Sequence, residues 1–340
     1  CPMNGLRPLL RKVAYRSGLL GAARLRLRST LTVLMLHRVM DPADQDFALA
    51  DPTFTMSSPL FASLLEFLRD HYEIVSLADV MAAYDGVKPL PHHSLLITFD
   101  DGWADNLRYA APLLQRGRIP AVVFAVAAAV LSRADVWWQE RLFIAARNGS
   151  LTDWLGKPQV KDKIADSARG RANSSPIDVA TILGLMEDGE RDELLLTLPS
   201  TPCSRRMMLE PGNLRELVDH GIDIGLHGYS HVPLTNVPDV TAELSRANHA
   251  IHEMSGGRSI GTALGCPHGQ YDSRVVDGAH AVGIKLVFTS DPCLNATHDG
   301  MLTRGKVLGR INVIARHMED RPGRFDPSAA ARFLWAREVR

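Results

Sequence analysis

The sequence predicts an α/β fold in which about seven parallel strands form an open or closed barrel. Two observations support this prediction. Short apolar runs rich in β-branched residues alternate along the chain with stretches of helical periodicity, a pattern typical of parallel sheets. The chain has 340 residues, enough for one large domain with a sizeable core. Basic and acidic side chains balance at 38 each, which gives no reason to expect a nucleic-acid partner.

The first segment, residues 1–30, is predicted to be basic and helical. It carries basic side chains from Arg7 to Arg28 and no acidic one, so two interpretations stay open. The helix either packs under the domain or lies as an amphipathic helix on an anionic membrane surface. Its apolar stretch "GLLGAA" is short and broken by glycines, so no signal peptide is recognised. Scattered cysteines without a C-x-x-C pair also favour a reduced chain, and we expect a cytoplasmic protein with or without peripheral membrane contact.

The barrel is predicted over residues 31–340, from apolar runs that end in polar or turn residues. The predicted strands are 31–37, 94–100, 121–126, 222–227, 261–266, 285–290 and 306–314. The predicted helices between them are 57–72, 103–117, 212–221, 241–257 and 273–283. A polar, weakly helical stretch at about 132–210 interrupts the alternation, and it is predicted to be a helical insertion between the third and fourth strands.

Two of the predicted strands end in side chains suited to metal chemistry. Asp100 and Asp101 follow an apolar run, and two buried carboxylates repel one another unless a cation offsets their charge. His227 and His231 lie four residues apart after another strand, a spacing at which two imidazoles can face one ion. The carboxyl ends of parallel strands meet at one face of a barrel, so we expect the two clusters to converge. One carboxylate and two histidines suit a catalytic divalent metal, and the other carboxylate is then free to act as general base on metal-bound water.

Three short motifs make the sequence resemble a known family. "TFDDG" at 98–102, "HGYSH" at 227–231 and "GCPHG" at 265–269 resemble the first three motifs of the polysaccharide deacetylases, the NodB-homology group of carbohydrate esterase family 4. "LMLHRV" at 34–39 resembles the strand that opens many members, and the resemblance covers most of 31–314. It implies an irregular (β/α) barrel that hydrolyses the N-acetyl group of an amino sugar, in a surface polysaccharide or its precursor, and releases acetate.

The resemblance also implies a role for each residue that matches a motif. Asp100 would be the general base, while Asp101, His227 and His231 would bind a divalent metal, for which zinc is expected. The backbone N–H of His268 would donate to the oxyanion beside the metal.

Contacts with the N-acetylated sugar or glycan are assigned to residues near these motifs. Trp103 and Trp138 are candidates for stacking on the substrate, although Trp137 and Trp138 would equally anchor the insertion to the barrel. His37 ends the first strand and is expected to contact substrate, to protonate the leaving amine, or to have a structural role. Ser230 holds the position of a family residue that shapes the second motif by hydrogen bonding.

The sequence departs from the family pattern at two points. Gly265 stands where many members carry an arginine that tethers the base, and Cys266 follows it as a packed side chain or a spare thiol. The histidine of the fifth motif, the usual general acid, is not identifiable, which leaves His298 and His317 as late candidates. These departures keep two alternatives open, namely a hydrolase of non-sugar amides or cyclic imides and a module that binds glycan without cleaving it.

Overall fold

A computed structural model describes residues 6–168, 175–199, 203–258, 261–305 and 307–340 of the chain. Its strands are β1 (Thr30–Leu36), β2 (Arg38–Met40), β3 (Thr55–Ser57), β4 (Glu73–Ile74), β5 (Ser94–Phe99), β6 (Ala121–Ala125), β7 (Ile222–Leu226), β8 (Ala263–Gly265), β9 (Leu286–Phe288), β10 (Asn295–Ala296), β11 (Ile311–Asn312), β12 (Glu319–Arg321) and β13 (Arg324–Phe325). Its helices are α1 (Leu6–Arg16), α2 (Leu19–Leu25), α3 (Ser58–His71), α4 (Leu77–Tyr84), α5 (Ala111–Gly117), α6 (Ala127–Leu131), α7 (Trp138–Arg147), α8 (Ser150–Leu155), α9 (Pro158–Ala168), α10 (Pro176–Gly184), α11 (Asp188–Leu196), α12 (Pro211–Asp219), α13 (Val240–Met254), α14 (Ser273–Ala281) and α15 (Pro327–Trp335).

The main sheet forms a barrel of parallel strands. Strands β1, β5, β6, β7, β8 and β9 are neighbours in that order and run parallel. The segment 307–314 closes the barrel, because Leu308 pairs with Phe288 on one side and β11 pairs with β1 on the other. Two short strands widen the sheet, β10 antiparallel to β1 and β4 parallel to β5. The predicted irregular barrel of about seven parallel strands is therefore confirmed.

The strands are buried on both faces, which explains why they read as nearly continuous apolar runs. Successive residues of a strand point to opposite faces. Leu34 and Val123 pack outward against the surrounding helices, whereas Val33 and Val122 pack into the barrel interior. Helix α4 adds its apolar side to this interior core, and a reciprocal Ser76–Asp79 capping box starts the helix. Helices α4 and α15 are not among the predicted helices, because both are short and their amphipathic patterns span little more than two turns.

The predicted helical insertion lies between β6 and β7, the third and fourth barrel strands. Helices α7 to α11 surround a small core of their own, in which Leu142, Trp154 and Ile182 are buried. A second cluster joins this insertion to the barrel, and it contains Trp103 and Trp137. The insertion is thereby held beside the carboxyl ends of the barrel strands.

The N-terminal helices α1 and α2 contact α15. Arg11 donates to Asp326 at 2.7 Å, Lys12 donates to Asp320 at 2.9 Å, and the ring of Tyr15 stacks on that of Trp335. These contacts hold α1 against the body of the protein. Residues 1–5 of the predicted basic segment lie outside the described residues, and contact with a membrane stays a prediction. Within the described ranges, no helix is both long and apolar enough to cross a bilayer.

Gly225 in β7 provides a test of how tightly the barrel interior is packed. A Cβ atom at this position would lie 2.5 Å from two atoms of the Phe124 ring, which sits in the interior core. We predict that Gly225→Ala lowers the free energy of unfolding by about 1–3 kcal/mol, because the ring must shift. Urea denaturation measures the change. Gly212→Ala is the matched control, since its Cβ would meet no atom within 4 Å; equal stability of the two variants would contradict the prediction.

Candidate metal centre

The structure brings Asp101, His227 and His231 together at the carboxyl ends of β5 and β7. The Asp101 Oδ1 atom lies 3.4 Å from His227 Nε2 and 3.2 Å from His231 Nε2. The three side chains are buried, and their ligand atoms all lie within 4.8 Å of one another. Two imidazole nitrogens and one carboxylate oxygen around a common point form a donor set that fits a divalent cation.

Several residues of the site adopt backbone conformations that residues other than glycine rarely adopt. The φ angles are +75° at Asp101, +61° at His231 and +55° at His268, all in the left-handed region. Each costs on the order of 1 kcal/mol for a residue other than glycine, so the surrounding structure must hold it in place. Gly102, with φ +85°, continues the turn that begins at Asp101.

The orientation of His227 is set by a backbone carbonyl. Its Nδ1 atom lies 2.7 Å from the carbonyl oxygen of Gly265. Because a carbonyl can only accept, Nδ1 carries the hydrogen, and in the neutral imidazole the lone pair of Nε2 faces Asp101. This is the protonation state that a metal-binding imidazole needs.

A buried arginine holds the other carboxylate, Asp100. The Nη1 and Nη2 atoms of Arg310 donate to its two carboxylate oxygens at 2.6 and 2.8 Å, and the Arg310 side chain is fully buried. Arg310 also donates from Nε to the carbonyl of Thr289 at 3.0 Å. Burial opposes ionisation of Asp100, but the charges of Arg310 and His227 and the hydrogen bonds from Arg310 together outweigh it and lower the pKa of the carboxyl below its usual value. Asp100 is thus an ionised and oriented carboxylate, 3.9 Å from His227 Nε2.

Arg310 makes the contact with Asp100 that the family pattern assigns to an arginine at the position of Gly265. A Cβ atom on Gly265 would lie 2.9 Å from the Phe124 ring and 3.3 Å from His227 Nδ1, so the site has no room for a side chain as long as arginine. The Arg310 guanidinium reaches Asp100 from the closing segment 307–314 instead, 5.4 Å from the centre of the same ring. The sequence contains one signal for this: an arginine within an otherwise apolar predicted strand needs a buried partner.

Of the three tryptophans near the site, Trp103 and Trp137 line the pocket and Trp138 does not. Trp103 lines the pocket, but its Nε1 donates to Asp101 Oδ2 at 2.9 Å, and its ring lies beneath the Arg38 guanidinium at 4.2 Å. It therefore holds a candidate metal ligand in place. The Trp138 ring packs within the insertion against Arg191 and lies outside the pocket lining, which agrees with the anchoring role; contact of Trp138 with substrate stays a prediction. Its neighbour Trp137 lines the pocket.

A cavity of about 380 Å³ opens beside the candidate metal centre, between the strand ends and the insertion. Besides Asp100 and the three ligands, its lining includes His37, Phe54, Trp137, Glu140, Phe143 and His268. Its size and largely apolar walls fit a site for a small molecule or one part of a larger one. Sequence reasoning missed the contributions of Glu140 and Phe143, because their proximity depends on how the insertion docks.

His37 and His268 are placed in this cavity, whereas His298 and His317 are not. His298 is exposed beside Asp299, and His317 stacks on Phe333 at 4.0 Å between ring centres. The ring of His268 lies 3.2 Å, at Nε2, from the carbonyl oxygen of His231. Burial, together with the charge of His231, lowers the pKa of His268 to about 3, so its imidazole is neutral at physiological pH. Cys266 is fully buried, and burial raises the pKa of its thiol to about 12, so it packs as a small apolar side chain.

The loop that carries His231 is held from below by Glu243 of α13. One carboxylate oxygen, Oε1, accepts from the backbone N–H groups of Tyr229 and Ser230 at 3.0 and 2.8 Å and from the Ser230 hydroxyl at 2.7 Å. The Ser230 hydroxyl in turn accepts from the N–H of Val232 at 3.3 Å. Ser230 therefore shapes the second motif through hydrogen bonds within the loop.

Comparisons with known proteins agree with this architecture. Residues 88–287, more than half of the chain, match the polysaccharide deacetylase family. The poly-β-1,6-N-acetyl-D-glucosamine N-deacetylase of Escherichia coli strain K12 is 34% identical over 101 residues, which is 29% of this chain and only 14% of that relative. The fold is similar to that of the Streptococcus pyogenes deacetylase PplD in complex with acetate, with a TM-score of 0.56 at 15% identity over 90% of this chain and 98% of that one. It is also similar to IcaB from Ammonifex degensii, with a TM-score of 0.54 at 20% identity over 91% and 97% of the two chains.

The buried ion pair between Arg310 and Asp100 makes a strong prediction about stability. The folded-state pKa of Asp100 is lowered, so the pair stabilises the protein above the ordinary carboxyl pKa of about 3.9, and this contribution is lost as the pH falls further. Arg310→Met leaves a buried, unpaired carboxylate and should cost about 3–5 kcal/mol at pH 7. Urea denaturation of the variant measures it.

A double-variant cycle separates the pair from the packing of the two side chains. Adding Asp100→Asn to Arg310→Met removes the unpaired charge, so the double variant should be more stable than the sum of the single changes implies. Arg69→Met on α3, where the arginine is exposed, controls for the substitution itself. Strict additivity of the two changes would show that the pair does not interact as the geometry indicates.

Proposed function

The chain belongs to the polysaccharide deacetylase family, and from that premise we propose that it hydrolyses the N-acetyl group of an amino sugar and releases acetate. The observation that carries the proposal is the convergence of Asp100 with the candidate ligands Asp101, His227 and His231 in one cavity. We propose a surface polysaccharide or its precursor as substrate. Because the Escherichia coli relative is named as a deacetylase of poly-β-1,6-N-acetyl-D-glucosamine, this polymer is the first substrate to test.

The proposed cofactor is a divalent metal, most suitably zinc, held by Asp101, His227 and His231. Two imidazole nitrogens with one carboxylate, and room for further ligands, are typical of catalytic zinc sites. When bound, the metal would polarise the acetamide carbonyl and lower the pKa of water. The family as a whole and the buried donor set support this cofactor.

The proposed chemistry of the side chains begins with Asp100. Its carboxylate accepts a proton from the water that attacks the acetamide carbon, and Arg310 keeps it ionised and oriented for that transfer. The attack makes the carbonyl oxygen negative. The backbone N–H of His268 donates to no acceptor among the described residues and is our candidate donor to that oxyanion. The C–N bond then breaks, acetate forms, and the amine leaves with a proton.

The proton for the leaving amine has two candidate sources in the cavity. Asp100 holds the proton taken from water, and His37 lines the same cavity with its ring 4.7 Å from that of Phe54. We propose that His37 contacts the sugar or delivers this proton. The rings of Phe54 and Trp137 on the cavity wall offer apolar surfaces for the faces of the sugar ring.

Asp100→Asn tests the proposed base. The amide cannot accept the proton, so we predict that acetate release from acetylated poly-β-1,6-glucosamine falls by at least about 10²-fold. Zinc should still bind, because Asp101, His227 and His231 are unchanged. Acetate is measured by an enzyme-coupled assay and zinc by mass spectrometry of the purified protein. Undiminished turnover in Asp100→Asn would rule out its role as base.

Removal of metal tests the cofactor. Dialysis against a chelator should abolish acetate release, and added zinc should restore it and raise the melting temperature progressively with the logarithm of its concentration. His231→Ala should lose both responses, whereas His249→Ala, at an exposed position on α13, should keep both. A substrate panel completes the experiment: turnover of non-sugar amides or cyclic imides alone, or tight glycan binding without any turnover, would contradict the proposed deacetylation.

A further inference from the structure

One side chain of the insertion reaches a candidate metal ligand directly. Gln139, near the start of α7, is 1% exposed, and its Oε1 atom lies 2.8 Å from His231 Nδ1. The two residues are 92 positions apart in the chain. The other end of the same amide, Nε2, lies 3.2 Å from the backbone carbonyl oxygen of Ser230. Gln139 thus bridges the insertion to the loop that carries His231.

The hydrogen-bond partners decide which way this amide points. The Ser230 carbonyl can only accept, so the NH₂ group of Gln139 must face it. The amide oxygen then faces His231, and Nδ1 must carry the hydrogen that this oxygen accepts. The lone pair of His231 is left on Nε2, the atom that lies 3.2 Å from Asp101 Oδ1. The orientation of one amide therefore determines which nitrogen of His231 is available to a metal.

The two histidines of the site obtain this support in different ways. His227 donates to the backbone carbonyl of Gly265, an acceptor that no side-chain change removes. His231 depends on a side chain of the insertion. Trp137, two residues before Gln139, packs its ring 5.1 Å from that of His231 and so adds a second contact between the insertion and the same ligand.

From these contacts we propose that Gln139 is a positioning residue for His231, through which the helical insertion sets the metal affinity of the barrel. The proposal rests on the metal centre of the proposed function but not on deacetylation itself. Partners that accept from the second nitrogen of a ligating imidazole fix its orientation, and losing one typically weakens metal binding by about 10–100-fold. The insertion is then a working part of the metal centre as well as a wall of the cavity.

Zinc affinity is the first test. Gln139→Met keeps nearly the same side-chain length without an acceptor, and we expect its zinc dissociation constant, measured by competition with a chromogenic chelator, to rise about 10-fold or more. Gln115→Met, at an exposed position on α5, is the matched control and should bind zinc like the unaltered protein. A change of less than about twofold in Gln139→Met would overturn the proposal, since that is below the range expected for a lost partner.

A second variant and a second readout separate positioning from a general loss of structure. Gln139→Glu keeps the acceptor for Nδ1 and gives up only the donor to the Ser230 carbonyl, so it should bind zinc more tightly than Gln139→Met does; a zinc affinity no better than that of Gln139→Met would contradict the role of the acceptor. In the zinc-loaded protein, the Nδ1–H proton of His231 should exchange slowly by NMR and become fast in Gln139→Met, while that of His227 is unchanged. Because zinc binding is measured without substrate, absence of deacetylase activity would count against the proposed function alone.

Discussion

The ion pair between Arg310 and Asp100 is the interaction on which the site depends. Two charges are taken out of water at the centre of the barrel, which is tolerable only because both carboxylate oxygens of Asp100 are bonded and Arg310 has further acceptors. The pair also joins the segment that closes the barrel to β5. The segment that closes the barrel therefore also supplies the side chain that orients the proposed base.

The candidate metal ligands are oriented from three different parts of the fold. Asp101 accepts from Trp103, His227 donates to the carbonyl of Gly265, and His231 donates to Gln139 of the insertion. A flexible loop could not hold three donor atoms at one point, because each side chain would lose that geometry to rotation. These contacts hold the strained backbone at Asp101 and His231, and the hydrogen bonds that Glu243 accepts from the loop that carries His231 hold it further.

Much of the fold and of the ligand set was predictable, for identifiable reasons. Buried parallel strands must be apolar on both faces, so all seven barrel strands were visible as apolar runs. Ligand types at the ends of those runs pointed to His227, His231 and one of the two aspartates, the resemblance to the family selected Asp101, and the structure brings these three side chains together. Helices α4 and α15 were missed because a short amphipathic stretch has little periodic signal of its own. The sequence left open whether Trp137 and Trp138 face the cavity or anchor the insertion, because two adjacent tryptophans at the start of a helix face different sides and only packing decides which one meets the cavity.

The sequence by itself determined which residue types stand at the ends of the strands, and hence which atoms could hold a metal or move a proton. It did so because local periodicity and side-chain chemistry are properties of short segments. Only the tertiary structure decided what holds those atoms in place. Arg310 lies 210 positions from Asp100 and Gln139 lies 92 from His231, and no local pattern relates them. Their pairing follows from barrel closure and from the docking of the insertion, where a buried polar group must find its partner across the fold.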